Sequence, residues 1–173
     1  MEVKGTTRAW IGSEKETCGR YPKACLKEVI DNLDGTKATK CSITFNRPER
    51  TISVYDNGKL WEGLEEFLEE AIMPGLEAKG LHVYHMGLKK AAIGLTKCKD
   101  GTGTLRIISK DDNIVEVGWI DFNKKAGRAD SHHRTFRGEK TSEYEKYGNG
   151  VTVEFLNCEE SVFEESFKKE LID

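Results

Sequence analysis

Long apolar runs are missing from this sequence, and so is any strong excess of charge. No stretch approaches the ~18 apolar residues needed to cross a bilayer. The opening segment, MEVKGTTRAWIGSEKE, contains no apolar run of signal-peptide type. A soluble protein of the cytoplasm or nucleus is therefore expected, with no membrane partner. The 27 basic and 30 acidic residues leave a formal charge of −3, so the overall field gives no reason to expect strong nucleic-acid binding. The five cysteines (Cys18, Cys25, Cys41, Cys98, Cys158) are scattered, odd in number and never spaced as CxxC. They are expected to be reduced thiols, mostly buried. His82 and His85 lie three apart, but no second ligand pair follows at zinc-finger spacing. No GxxxxGK[ST] is present, which excludes a P-loop, and no serine or cysteine sits in a nucleophile-elbow context.

At 173 residues the chain fits a single domain, spanning residues 1–173, and can bury a sizeable core. From Pro22 to Leu33, the residues Leu26, Val29, Ile30 and Leu33 keep helical spacing; Pro22 suits the first turn and Gly35 a stop. Residues 41–56 alternate on both sides of a turn at Arg47 to Arg50, with Ile43 and Phe45 answering Ile52 and Val54. This pattern predicts an antiparallel hairpin with one buried face, ended by Asn57-Gly58. An acidic helix is expected from Trp61 to Met73, where Pro74-Gly75 breaks it. Glu62, Glu65, Glu66, Glu69 and Glu70 would form its solvated face, and Leu64, Phe67, Leu68 and Ile72 its core face.

A third helix is expected near Leu88 to Thr96, then two strands, GTLRIISK and NIVEVGWID. Residues 122–149 are polar and suggest no element. GVTVEFLN reads as a strand, and the tail from Glu159 to Leu171 as one amphipathic helix. The order predicts an α+β fold: a two-layer α/β sandwich whose mixed, mostly antiparallel sheet carries its helices on one face.

Several polar residues stand apart from this core pattern. Glu28 and Asn32 lie one turn apart on the first helix, with Asp31 and Gly35 beside them, opposite the apolar stripe. Asp56-Asn57-Gly58 ends the hairpin. A glycine-containing segment, His85-Met86-Gly87-Leu88-Lys89, opens a lysine-bearing helix, and Gly148 to Thr152 leads into a late strand. In this order the segments resemble the gyrase, heat-shock chaperone, histidine kinase and MutL (GHKL) ATPase superfamily over about residues 20–157. EVIDNLDGTKA resembles the family's N box, SVYDNG its adenine motif, HMGLKKAAIG its lid glycine motif in the form of the MORC-type branch, and GNGVTVEF its G-T-x-V-T-V strand. Four weak motifs in compatible order make a strong one.

The resemblance implies a Bergerat fold that binds ATP and Mg2+. Asn32 would offer a neutral oxygen to the magnesium ion, and Glu28 would orient and deprotonate the attacking water. Asp56 would accept a hydrogen bond from the adenine amino group, and Gly58 would let the backbone approach the base. Lys89 and the amides around Gly87, with His85, Met86 and Leu88 in the same motif, would meet the phosphates. Thr152 would help hold adenine, and Asp31 and Gly35 complete the N box. Two departures stand out: Leu60 and His85 occupy positions that are glycine in the family's motifs.

A lid is expected at about residues 74–87, coupling the nucleotide state to partner contacts or an ATP-dependent homodimer. The chain has no room for a second, transducer domain, which suggests an excised domain, a stand-alone switch or an accessory relative. An anti-sigma-factor-type protein kinase and a degenerate, non-hydrolysing nucleotide-binding module remain as alternative readings. Phe122 to Lys140 carries six Lys/Arg against Asp130 and Glu139. It reads as a surface hairpin, or as a docking surface for an acidic partner or nucleic-acid phosphate.

Overall fold

The computed structural model describes residues 22–31, 36–69 and 83–169; at residues 22, 28, 31 and 83–86 it describes the backbone alone. Helix α1 (Pro22–Asp31) is followed by strands β1 (Cys41–Asn46) and β2 (Thr51–Asp56), and then by helices α2 (Leu64–Glu69) and α3 (Val83–Leu95). Strands β3 (Gly103–Lys110), β4 (Ile114–Asn123) and β5 (Arg128–Arg137) run consecutively. After a 3-10 segment at Gly138–Tyr144 come β6 (Gly150–Leu156), a second 3-10 turn at Glu160–Phe163 and the short α4 (Glu165–Lys169). No helix of the described residues is long and apolar enough to cross a membrane.

The six strands form one sheet in the order β1-β2-β6-β3-β4-β5. Every ladder is antiparallel, so the mixed pairing expected from sequence is not found among the described residues. The hairpin register is the one that the alternation dictates, with Ile43 opposite Val54 and Phe45 opposite Ile52. A slip of one residue would turn these apolar side chains to the other face.

Registers across the strands align side chains in rows. One apolar row runs Phe45, Ile52, Phe155, Leu105 and Ile120; the next runs Ile43, Val54, Val153 and Ile107 to Gly118. Leu26 and Val29 of α1, Leu64, Phe67 and Leu68 of α2, and Ile93 and Leu95 of α3 bury against these rows as one core. Fully burying each such side chain contributes about 1.5–3 kcal/mol. Gly118 is required where α2 crosses β4, because a Cβ there would lie 2.5 Å from the Leu68 side chain.

The opposite sheet face has a smaller cluster, Ile108, Val115 and Val117, roofed by Phe136, Tyr144 and Tyr147. Beside it the buried Glu154 accepts from Arg106 Nε at 2.6 Å and from the Tyr147 hydroxyl at 3.3 Å. Burial, and then the Glu154 charge, push the Tyr147 phenol above its ordinary pKa, which keeps it a donor.

The structure corrects two expected assignments and leaves a third outside the described residues. The stretch left unassigned at 122–149 supplies β5, a ten-residue edge strand in which only Ala129 and Phe136 are apolar. The tail is not one helix: a 3-10 turn, residue Glu164 in extended conformation and five helical residues replace it, anchored by Val162, Phe163 and Phe167. The acidic helix is described only to Glu69; the rest of its expected span, to Met73, lies outside the described residues.

Candidate functional site

The third row across the helix face is different in character: Cys41, Asp56, Val151, Ser109, Glu116 and Thr135. It closes the apolar rows at one end of the sheet, and Asp56 sits in it as the last residue of β2. Only 3% of Asp56 is exposed. Its Oδ1 accepts the Gly58 amide at 2.8 Å. Among the described residues its other oxygen accepts no hydrogen bond and no cation pairs with it. A buried carboxylate is costly unless it is hydrogen-bonded or paired, so this oxygen is where a donor from a ligand would be most stabilising.

The turn around Asp56 is held firmly. Asn57 Oδ1 accepts the amides of Thr39 and Lys40 at 2.9 and 2.8 Å. At Gly58 a Cβ would lie 2.6 Å from the Thr36 carbonyl and 2.7 Å from Asp56 Oδ1, so only glycine lets the post-α1 segment close over the turn. Leu60 follows as an exposed apolar side chain.

Lys89 covers the same end of the sheet from the helix layer. Its Nζ donates to the Phe67 carbonyl at 2.5 Å and lies 4.5 Å from the centre of the Phe67 ring. That ring tilts against Trp61 at 5.1 Å, and the Trp61 amide donates to Ser109 Oγ at 3.0 Å. Ser109 is two strands from Asp56 in the same row, about 10 Å across the ladder. Lys89 is 1% exposed. An ammonium so buried is held by its carbonyl and by the face of the Phe67 ring.

The remaining expected site residues are distributed unequally. Helix α1, which carries Glu28 and Asp31, packs along α3, which carries Gly87 to Lys89. The side chains of Glu28, Asp31, His85 and Met86 are outside the described part of the structure. Asn32 and Gly35 lie outside the described residues altogether, as does most of the expected lid, residues 74–82. Gly87 and Leu88 are described and buried, with Leu88 in the main core. Helix α3 begins at Val83, earlier than the expected start near Leu88. The Gly87 amide therefore falls within the helical ladder, and is not among the unsatisfied amides of a first turn.

Thr152 faces away from Asp56. It pairs with Tyr55 and Ile108, in the row that forms the opposite face of the sheet, whereas its neighbour Val151 lies directly beside Asp56. The strand alternation makes this unavoidable once the register is set. The sequence reading overlooked Ser109 and Trp61. Neither belongs to a motif, and their contact joins residues 48 apart.

Among the described residues no group of three or more His, Cys, Asp or Glu is placed to hold a metal ion. The chain matches no family model, and no curated protein matches it.

Proposed function

We propose that this protein is a GHKL-type ATP-binding domain with a Bergerat sandwich, binding Mg-ATP at the Asp56 end of the sheet and hydrolysing it slowly. The observation that carries the reading is the Asp56 carboxylate. It is buried at a strand end, oriented by the Gly58 amide, and keeps one oxygen without a partner among the described residues. The chemistry of this acceptor fits the exocyclic amino group of adenine. Support also comes from the chain of contacts that links Lys89 through Phe67 and Trp61 to Ser109, in the row of Asp56, and from the packing of the Glu28-bearing helix against the Lys89-bearing one.

In this reading Asp56 holds the base and Asn32 offers its carbonyl oxygen to the magnesium ion. Lys89 meets phosphate after leaving the Phe67 carbonyl. Bound magnesium would neutralise charge developing on the phosphates. Glu28 takes the proton of the attacking water. The present engagement of Lys89 favours one second reading, a nucleotide switch that binds without hydrolysis, because the lysine must surrender a buried contact before it can reach phosphate.

Calorimetric titration tests the reading. Asp56→Ala is expected to weaken ATP and ADP alike, roughly tenfold or more, since both carry adenine and a hydrogen bond to a charged group contributes about 1.5–3 kcal/mol. An Asp56→Ala protein that melts as the parent does and binds ATP equally tightly would refute the site. Lys89→Met should behave differently. A thioether of similar length fills the same space, and a melting curve reads what the lost buried contacts cost. ATP should lose about tenfold in affinity and ADP less, read in the same titrations.

A further inference from the structure

At the end of the sheet opposite Asp56, two loops far apart in the sequence bring their lysines together. The loop after α3 and the β4–β5 turn are stitched together there: the Lys124 amide donates to the Cys98 carbonyl at 2.9 Å, and Asn123 Nδ2 to Thr102 Oγ1 at 3.2 Å. Residues 96–102 and 124–127 carry Lys97, Lys99, Lys124 and Lys125 against Asp100 alone, a local +3 on a chain of −3. Among the described residues Lys97, Lys99 and Lys124 form no salt bridge.

From this cluster β5 rises with Arg128, His132 and Arg134 on the outer sheet face, spanning about 20 Å from first to last. The His132 ring stacks on Trp119 with centroids 4.8 Å apart and planes 15° apart, and the Arg134 guanidinium lies 5.6 Å from the Trp119 ring centre. His132 remains 42% exposed. The carboxylates on this face are already engaged: Asp121 accepts from Thr104 Oγ1 and lies 3.7 Å from His132 Nε2, Asp130 pairs with Arg128 at 2.9 Å, and Glu154 accepts from Arg106.

We infer that this lysine cluster and the outer face of β5 bind single-stranded nucleic acid. The lysines and Arg134 meet phosphates, and a base stacks on the exposed His132 of the pre-formed His132–Trp119 pile. Cations that track a backbone, joined to an aromatic stack, are what an unpaired strand uses; a duplex keeps its base faces covered. An acidic peptide would satisfy the lysines but leave the aromatic pile without a role.

Fluorescence anisotropy with labelled oligothymidylate of about twenty nucleotides, longer than the ~4–16 that one site covers, tests this. The comparators are a duplex of equal length and a polyglutamate peptide. Oligothymidylate should bind more tightly than either. Its log affinity should fall with log salt at a slope of about −3 to −3.5, roughly −0.7 per phosphate contact, between about 50 and 200 mM. Replacing Lys97, Lys99 and Lys124 together by glutamate should reduce affinity at least tenfold and flatten the slope. His132→Ala should reduce it roughly tenfold at unchanged slope. Melting curves would verify that both variants fold. If either does not, the parent's salt slope and its preference over duplex and polyglutamate decide. No binding at the lowest salt, equal binding of duplex or polyglutamate, or full affinity in both folded variants would overturn the assignment.

Discussion

Gly150→Ala is expected to be strongly damaging although it adds a single methyl group. The backbone there has φ +123, a region that L side chains rarely adopt, at a cost of about 1–3 kcal/mol. Space is the second problem. A Cβ at Gly150 would lie 2.1 Å from the Asp56 carbonyl and 2.8 Å from the Asn57 Cα, and backbone cannot swing aside as a flexible side-chain end can. Overpacking of this kind costs a further ~1–3 kcal/mol. Together these approach a third of the stability typical of a whole domain, and melting should fall by about 10–15 °C.

Gly138→Ala is the control. It also has positive φ, +60, but nothing lies within 4 Å of the added atom, so about 1 kcal/mol is expected. Thermal melts of both variants check the difference, and equal losses would show that the clash, and not φ alone, had been misjudged. Because Gly150 abuts Asp56, any Gly150→Ala protein that does fold should also bind nucleotide poorly.

Glu28→Gln should have the largest effect on chemistry. The substitution keeps size and hydrogen-bonding capacity on α1 while removing the base. If Glu28 deprotonates the attacking water, hydrolysis should fall by about 10²–10⁴ with ATP affinity nearly unchanged. Asn32→Ala should do the reverse, weakening ATP in a magnesium-dependent manner. Single-turnover phosphate release measured beside calorimetric binding separates the two. A parent hydrolysis rate that survives Glu28→Gln would eliminate the proposed base. A parent that binds ATP without releasing phosphate would favour the switch, with Leu60, His85 and the Phe67-bound Lys89 as the residues to exchange first.

What the sequence determined by itself were the elements whose pattern has one buried side. The β1–β2 hairpin and the apolar positions of α1 and α2 follow from alternation or helical spacing, because each buries one face and solvates the other. Asp56 and Gly58 stood out as the polar and turn residues that end this hairpin, and the resemblance of SVYDNG to an adenine motif singled them out; the burial of Asp56 came only with the fold. Strand β5 was not. At the sheet edge, with β4 its sole strand partner among the described residues, its Arg, His, Ser and Thr side chains need no alternation to stay stable. The tail failed as a single helix because burial of Val162, Phe163 and Phe167 is achieved by a turn and a short helix in succession.

Only the tertiary structure decided which residues share a face or an end. Thr152 is one residue from Val151, yet the pleat sends it to the opposite side of the sheet from Asp56. Lys89 reads as a phosphate ligand at a helix start, but the helix begins five residues earlier than the expected Leu88 and carries it against Phe67. Lys97 and Lys99 join Lys124 through a backbone hydrogen bond that spans 26 residues of chain, from Cys98 to Lys124. Local pattern records burial, which each residue experiences singly. Partnership depends on strand order and register, and these are fixed by contacts between segments far apart in the chain.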